Sequence, residues 1–382
     1  MMNRKNVAIV GVGTTHFADL YAKRDPARDE YGLAADAFAL ALADSGLEKS
    51  KIDGLICIRI PSYSAMASYL GMPHLRFVNS LEAAGRMAAL AIQYAQLLIE
   101  AGAAETIAIV YGNVGRSASA SYGGAFNTKS INAYDAMNGL TSPGAFLAAH
   151  FQRHAALYGT TTDALGRVAI NNRRNATLNP AAVFREPITL DDYMSAPFIA
   201  EPLRRLDYCL INDGGVAFVL TSAERAQDLK SDPVFISPVV TTTDLSFRYV
   251  SEDGFYSAAQ RVAQQLHCAT GIKAGDVDIL QVYDNFTPVV LLSLEGFGYC
   301  PLGEAGAWVA ENLGDLPKVS LNSSGGHTSE GYMQGFALIA EGARQIRGTA
   351  GDRQKAGAQL AQYMCLSPIV GSFYLSLENR WS

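Results

Sequence analysis

Leu321-Asn-Ser-Ser-Gly-Gly-His-Thr-Ser-Glu-Gly-Tyr332 is the stretch on which the fold turns. Val319 to Leu321 reads as a short strand, and the chain then becomes small, polar and glycine-rich within a few residues. That change marks a loop leaving a strand, the place where α/β folds carry function. An earlier stretch, Val78-Asn-Ser-Leu-Glu-Ala-Ala-Gly85, opens an apolar segment predicted to be one helix from Glu82 to Gly102. With Met87, Leu90, Ile92, Leu97, Leu98 and Ile99 distributed round it, such a helix has no polar face and belongs in a layered core.

Outward from these two stretches, strand and helix patterns alternate. Asn6 to Val12 is β-rich, Tyr31 to Gly46 has helical spacing, Ile52 to Ile60 returns to strand character, and Glu105 to Gly112 is a strand after the apolar helix. Residues 113–201 are irregular, rich in Ser, Asn, Tyr and Gly, with helical pieces at Phe146–Tyr158 and Thr162–Ala176; they read as an inserted cap. Asp207-Tyr-Cys-Leu-Ile-Asn-Asp-Gly-Gly215 turns into a buried strand ending at Thr221. After the polar stretch Glu224 to Pro233 the alternation restarts at Val234–Thr241, Phe255–Thr270, Val277–Tyr283 and Phe286–Phe297. The chain is therefore read as an α/β protein of two similar halves, 1–228 with the cap and 229–382, although the direct sequence repeat is too weak to count.

Composition narrows the class. The 382 residues are 49% apolar and 17% charged, with a net charge of −6, which fits a compact enzyme and lacks the basic stripe of a nucleic-acid binder. Local cations such as Arg86, Arg204, Arg205 or Arg248 are available to an anionic ligand. The N-terminus has no secretory signature and no apolar run is long enough to span a bilayer, so a soluble, cytoplasmic protein is expected. Five scattered cysteines, Cys57, Cys209, Cys268, Cys300 and Cys365, show no CxxC spacing, which points to free thiols and to neither a zinc ribbon nor a disulfide framework.

Three segments in the right order, Asp207-Tyr-Cys with Asn212-Asp-Gly-Gly215, Tyr283-Asp-Asn-Phe-Thr-Pro288 with Glu295-Gly-Phe-Gly-Tyr-Cys-Pro-Leu-Gly-Glu304, and Asn322 to Tyr332, make the chain similar over nearly its whole length to the thiolase superfamily. It resembles in particular the branch of lipid-transfer and sterol-carrier-protein thiolase-like proteins. The resemblance implies a five-layered α-β-α-β-α fold. In the thiolase pattern a nucleophilic cysteine opens the central helix, where this chain has Glu82; a helix N-terminus favours that carboxylate as it would a thiolate. A histidine or asparagine of a second box is replaced by Tyr283, and the activating histidine of Gly-Gly-x-x-x-x-Gly-His by Tyr332. The last element, a second cysteine followed by glycines, is represented at best by Cys365-Leu-Ser-Pro.

Claisen chemistry through an acyl-enzyme needs a thiolate and a base, and the expected places supply neither. Two phenols and a carboxylate suit a reaction in which a hydroxyl proton leaves and an enolate forms without covalent catalysis. The resemblance to aldolases that shorten steroid side chains implies retro-aldol cleavage of a bulky 3-hydroxyacyl-CoA. Catalytic candidates are Tyr283 and Tyr332, with Glu82 or Asp284 as relay and His327 in the polar lining; Asn285, Gly325 and Gly326 are candidate contacts to the coenzyme A moiety, which enters as part of the substrate, with no permanent cofactor and no metal. The same resemblance implies a homodimer and a small OB-fold, zinc-ribbon companion in a heterotetramer. Two other functions remain open at this level: a non-catalytic acyl-CoA or lipid-binding protein, and a thiolase-type acyltransferase using Cys365 or another thiol. A hydrolase built from Ser323 or Ser324, His327 and Asp284, and a dinucleotide site at Gly11-Val-Gly13, lack the GxSxG elbow and the third glycine that each would need.

Overall fold

A computed structural model describes residues 6–81, 87–121, 133–229, 231–243, 256–314, 317 and 319–381. The strands are β1 (Val7–Thr14), β2 (Gly54–Ile58), β3 (Phe77–Leu81), β4 (Thr106–Val114), β5 (Phe198–Ala200), β6 (Leu203–Arg204), β7 (Asp213–Ser222), β8 (Val234–Ile236), β9 (Val240–Thr243), β10 (Ile279–Val282), β11 (Ser320–Leu321), β12 (Ala361–Cys365) and β13 (Ile369–Ser376). Their spatial order is β11-β10-β12-β13-β8-β1-β7-β4-β2-β3, with β9 added on β13 and β5-β6 forming a separate hairpin. Split between β8 and β1, this path gives the same plan twice. β2 is parallel to β3 and β4, while β7 is antiparallel to β4 and β1. In the same positions β10 is parallel to β11 and β12, and β13 is antiparallel to β12 and β8.

Side-chain alternation along the strands makes the layers. Val7 and Ile9 of β1 face a core shared with the Ala88–Glu100 and Phe336–Arg347 helices, whereas Ala8 and Val10 face the Glu30–Ser45 helix. In the second half Ile279, Tyr283, Ala361, Tyr363 and Cys365 point into that same shared core. Leu280, Val282 and Met364 point outward to the Tyr256–Thr270 and Thr287–Gly296 helices. The sequence of layers is thus helix, sheet, helix, sheet, helix, because a strand buried on both faces must have a partner on each.

Gly11 and Gly13 are packing glycines. A Cβ on either would lie 2.2 Å from the carbonyl oxygen of Ala41 or 2.0 Å from that of Ala37, so the Glu30–Ser45 helix rests directly on the β1 backbone.

Two sequence expectations need correction. The apolar helix runs from Ala88 to Glu100, and the Val78-Asn-Ser-Leu81 portion of its expected approach is the edge strand β3. Apolar composition cannot by itself separate a short buried strand from the turn before a helix. Nor is the helix covered on every side: Leu97 is 56% exposed, and Leu90, Gln93, Tyr94 and Leu97 line a groove of about 230 Å³ with Asn79 and Leu81 of β3.

Within the stretch expected as a cap, Ser142 caps the Pro143–Tyr158 helix through the Ala145 N–H. The next helix, Thr162–Thr177, lies against the Gly326–Ser329 turn and buries Asn171, Asn172 and Arg173. It is a wall of the site as much as a lid.

Candidate active site

The Leu321–Tyr332 loop is built on a strand that stops early. β11 has only two residues, and Asn322 continues its pairing with side-chain atoms: Oδ1 accepts the Val282 N–H at 2.8 Å and Nδ2 donates to the Val282 carbonyl at 3.0 Å. Asn322 holds a positive φ of 48°, a conformation that asparagine tolerates better than most residues. From the cap side, Asn171 and Asn175 donate to the Leu321 carbonyl at 3.0 and 2.8 Å, and Arg173 Nε donates to Ser329 Oγ at 3.1 Å.

Asp284 is the anchor of this loop. It is fully buried. Its carboxylate accepts the His327 N–H at 2.9 and 3.1 Å and Asn172 Nδ2 at 2.7 Å. Gly326 lies so close that a Cβ there would be 2.2 Å from Asp284 Oδ2, and a Cβ on Gly325 would be 2.6 Å from that of Ala176. Burial pushes the Asp284 acid up to about 7, against the hydrogen bonds it receives. All its partners are donors, an arrangement that suits the ionised carboxylate.

The reactive candidates stand on the inner face. Tyr283 follows β10 and is fully buried, its N–H bonded to the Met364 carbonyl at 2.8 Å. Tyr332 is half-buried, its N–H held by Asn212 Oδ1 at 2.7 Å. The two phenol oxygens are 2.9 Å apart. His327 packs edge-on against both rings, with centroids 4.8 Å from Tyr283 and 5.1 Å from Tyr332.

His327 Nε2 accepts the Gly335 N–H at 3.1 Å, which leaves the ring proton on Nδ1. Nδ1 lies 3.2 Å from Asp284 Oδ1 but out of line for a hydrogen bond. Burial lowers the imidazole to about 3, so the ring is neutral at ordinary pH, with its lone pair on Nε2 engaged by Gly335.

Beneath the loop, Glu330 accepts from Ser324 Oγ at 2.5 Å and Asn179 Nδ2 at 3.1 Å. Burial first, and then the charge of Glu341, raise its acid to about 8. Ser323 Oγ donates to Glu341 at 2.9 Å. With both serines engaged by carboxylates and His327 Nε2 engaged by Gly335, no serine hydrolase triad is assembled.

The structure therefore brings Tyr283, Tyr332, His327 and Asp284 together, as expected. Asp284 anchors the loop, its carboxylate oxygens accepting the His327 N–H and Asn172 Nδ2. Asn285 lies alongside: its carbonyl accepts the Cys209 N–H at 2.9 Å, and its buried Oδ1 has no partner among the described residues. Gly325 and Gly326, expected at the coenzyme, are buried and meet protein atoms. Glu82, with Arg86 and Arg248, lies outside the described residues. Arg204 stacks on Phe198, 4.1 Å from the ring centre, and donates to the Ala196 carbonyl.

The thiols fit packing roles. Burial pushes Cys57 and Cys300 up to about 12, and Cys209 higher still, so none offers a ready thiolate. Cys365 ends β12, fully buried, 3.4 Å from Ser367 Oγ. Sequence reasoning missed Asn172, Asn179, Asn212, Asn322 and Glu330. The signal was present in the Asn171-Asn-Arg-Arg-Asn175 run, a polar face too rich in hydrogen-bonding groups for a surface helix of no consequence.

Comparison with known proteins agrees with this geometry. Residues 242–370 match the family described as thiolase C-terminal domain-like. The chain is 34% identical to the 17-hydroxy-3-oxo-4-pregnene-20-carboxyl-CoA lyase of Mycobacterium tuberculosis, over 90% of this chain and 92% of that one. It is 33% identical to the steroid side-chain-cleaving aldolase of Thermomonospora curvata, over 90% of each. The solved Ltp2-ChsH2(DUF35) aldolase superposes with a TM-score of 0.88 at 30% identity, covering 99% of both chains. The chain belongs to the thiolase superfamily, in the branch that holds the steroid side-chain-cleaving aldolases.

Proposed function

We propose that this protein is a carbon–carbon lyase that cleaves a bulky 3-hydroxyacyl-CoA of steroid side-chain type by a retro-aldol reaction, giving a ketone or aldehyde and a short acyl-CoA. The observation that carries this reading is the 2.9 Å contact between the Tyr283 and Tyr332 hydroxyls in a chain with glutamate where thiolases keep their nucleophilic cysteine. The names of the two relatives support both the reaction and the substrate class.

Tyr332 is the phenol that meets substrate, because it is the one only half-buried, and Tyr283 stands behind it. A phenol in water is a weak base at neutral pH, and an O–H donated to its oxygen favours the ionised form. Ionised Tyr332, stabilised by the Tyr283 hydroxyl, removes the proton of the β-hydroxyl. The Cα–Cβ bonding pair moves to the thioester as an enolate, the β-carbon leaves as a carbonyl, and the proton returns from Tyr332 to Cα. No bond to the protein forms, and no metal or permanent cofactor enters the balance.

The assembly belongs to the same proposal. Strand β3, an edge strand among the described residues, and the groove beside it offer backbone and apolar surface to a second copy, which supports a homodimer. The Ltp2-ChsH2(DUF35) likeness supports a small companion chain in a heterotetramer. No described helix is long and apolar enough to cross a membrane, and the five free cysteines fit a reducing compartment such as the cytoplasm.

Incubation with a 3-hydroxyacyl-CoA branched at the β-carbon, with and without the companion chain, tests the reading. Release of a ketone with a shortened acyl-CoA in equal amounts is expected. Tight binding with no product under both conditions points to the non-catalytic lipid-binding alternative, and a protein-bound acyl group points to the acyltransferase.

A further inference from the structure

Tyr332, the proton acceptor of the proposed reaction, belongs to neither a helix nor a strand. It lies between the Gly326–Ser329 turn and the Phe336–Arg347 helix, where no regular element orders its backbone. A side chain does so instead: Asn212 Oδ1 accepts the Tyr332 N–H at 2.7 Å. Asn212 is fully buried just ahead of β7, with Nδ2 turned to the Asp213 carbonyl at 3.1 Å. Its own carbonyl accepts Asn113 Nδ2 at 2.7 Å from the neighbouring strand β4. Asn113 is buried too, and its Oδ1 has no hydrogen-bond partner among the described residues. A buried acceptor left unpaired costs stability, so what this amide supplies is its hold on Asn212. The seat is close on both sides of Tyr332. A Cβ on Gly214 would lie 2.8 Å from Met333 Sδ, and one on Gly331 would lie 3.1 Å from Asn212 Nδ2, so the residues flanking Tyr332 rest directly on the start of β7.

We infer that Asn212, itself held by Asn113, is a positioning residue for carbon–carbon bond cleavage: it fixes the backbone of Tyr332 so that the phenol stays within reach of the Tyr283 hydroxyl. The inference rests on the retro-aldol reading. Asn212 bonds to the peptide N–H of Tyr332 and takes no proton in the reaction. Its effect runs through the 2.9 Å contact between the two phenols, because a hydrogen bond weakens steeply once it lengthens or leaves line. A Tyr332 that drifts from Tyr283 loses the donor that favours its ionised form, and with it the capacity to take the β-hydroxyl proton near neutral pH.

The test compares Asn212→Ala and Asn113→Ala with Gln96→Ala, a control that also loses a buried amide, one bonded to the Ser237 carbonyl and the Val239 N–H. Two readouts are taken: the pH profile of kcat with a β-branched 3-hydroxyacyl-CoA, and an NMR titration of protein labelled at the tyrosine Cζ, the Tyr332 signal being the one absent from Tyr332→Phe. In Asn212→Ala the acidic limb of kcat and the Tyr332 titration are both expected to move up by about one pH unit, with kcat about tenfold lower at neutral pH, recovery at higher pH and KM within about twofold. Asn113→Ala should move both in the same direction by less, and Gln96→Ala should move neither. In a Tyr283→Phe background the Asn212 substitution should give no further shift in the Tyr332 titration, because the donor it keeps in reach is already gone. An unmoved limb and titration in Asn212→Ala, or an undiminished shift in the Tyr283→Phe background, assigns Asn212 to packing and overturns the inference. Should Asn212→Ala not fold, the Asn113→Ala titration decides by the same criteria. Full activity in Tyr332→Phe would instead sink the aldolase scheme, a result distinct from any titration shift.

Discussion

The backbone N–H of Gly335 donates to His327 Nε2 across 3.1 Å, and that one bond decides where the imidazole carries its proton. His327 is thereby a neutral ring with Nδ1 protonated, set against two tyrosines. It takes the place in this site that a packing aromatic would take elsewhere, with the difference that its orientation is fixed by hydrogen bonding.

His327→Phe keeps a flat ring but loses the Gly335 bond. The expected outcome is a rise in KM and a fall in kcat of about tenfold or less, because the phenols remain. The pH profile of kcat is expected to keep its shape, since the imidazole, lowered to about 3, does not titrate in the working range. Steady-state kinetics from pH 6 to 9 provide the check; loss of an ionisation in the variant would instead make His327 a base.

Tyr283→Phe and Tyr332→Phe are each expected to lower kcat by about a thousandfold or more, by analogy with other acid–base and paired groups. The double variant should be little worse than either, because a pair acting as a unit is non-additive. Stability should change by about 1 kcal/mol, the net worth of one hydrogen bond, as read by chemical denaturation.

Cys365→Ser should leave kcat within about threefold, since the proposed mechanism makes no thioester to protein, and intact-mass analysis of the parent during turnover should show no acyl adduct. An adduct that disappears in the serine variant would return the chemistry to the thiolase type.

Glu330 supplies a pH prediction. Its acid is raised in the folded protein to about 8 from an ordinary 4.5, so the unfolded chain gives up its proton first as pH rises. The stability present below about pH 4.5 is therefore lost progressively up to about pH 8 and then levels off. Glu330→Gln keeps the neutral form at all pH values and should be more stable than the parent at pH 8, with the gap closing towards pH 5. Thermal midpoints across that range decide it; a parallel pair of curves would show that Glu330 is ionised throughout.

Asn172 links the cap to the anchor by donating to Asp284 at 2.7 Å and to Thr328 Oγ1 at 2.9 Å. Asn172→Ala leaves a buried carboxylate short of a donor and should cost about 1 to 3 kcal/mol. Activity should fall further than that of a cap-surface control such as Gln152→Ala, as measured in the same assay.

Much of the fold was legible because it rests on local patterns. The apolar strands and the polar Asp207–Asn212 approach to β7 each state their structure within a few residues. The strand β3 was not legible, because Val78-Asn-Ser-Leu81 is too short to show a period and is followed at once by apolar helix. The candidate site divides the same way. Tyr283, Tyr332, His327 and Asp284 stand in glycine-rich or boxed segments that mark themselves, while Asn179 is a single residue whose role depends on a partner more than a hundred positions away.

By itself, the sequence determined that this is a twofold α/β chain carrying tyrosines and a glutamate where a thiolase keeps histidine and cysteine, because residue identity and hydrophobic period are properties of the string. Only the tertiary structure decided which of those groups meet and what surrounds each. Burial holds the His327 ring neutral and pushes the Cys209 thiol up, N–H donors surround Asp284, and the meeting of two loops put one phenol against another. Solvation and hydrogen-bond distance set the chemistry of an ionisable group, and both exist only once the chain has folded.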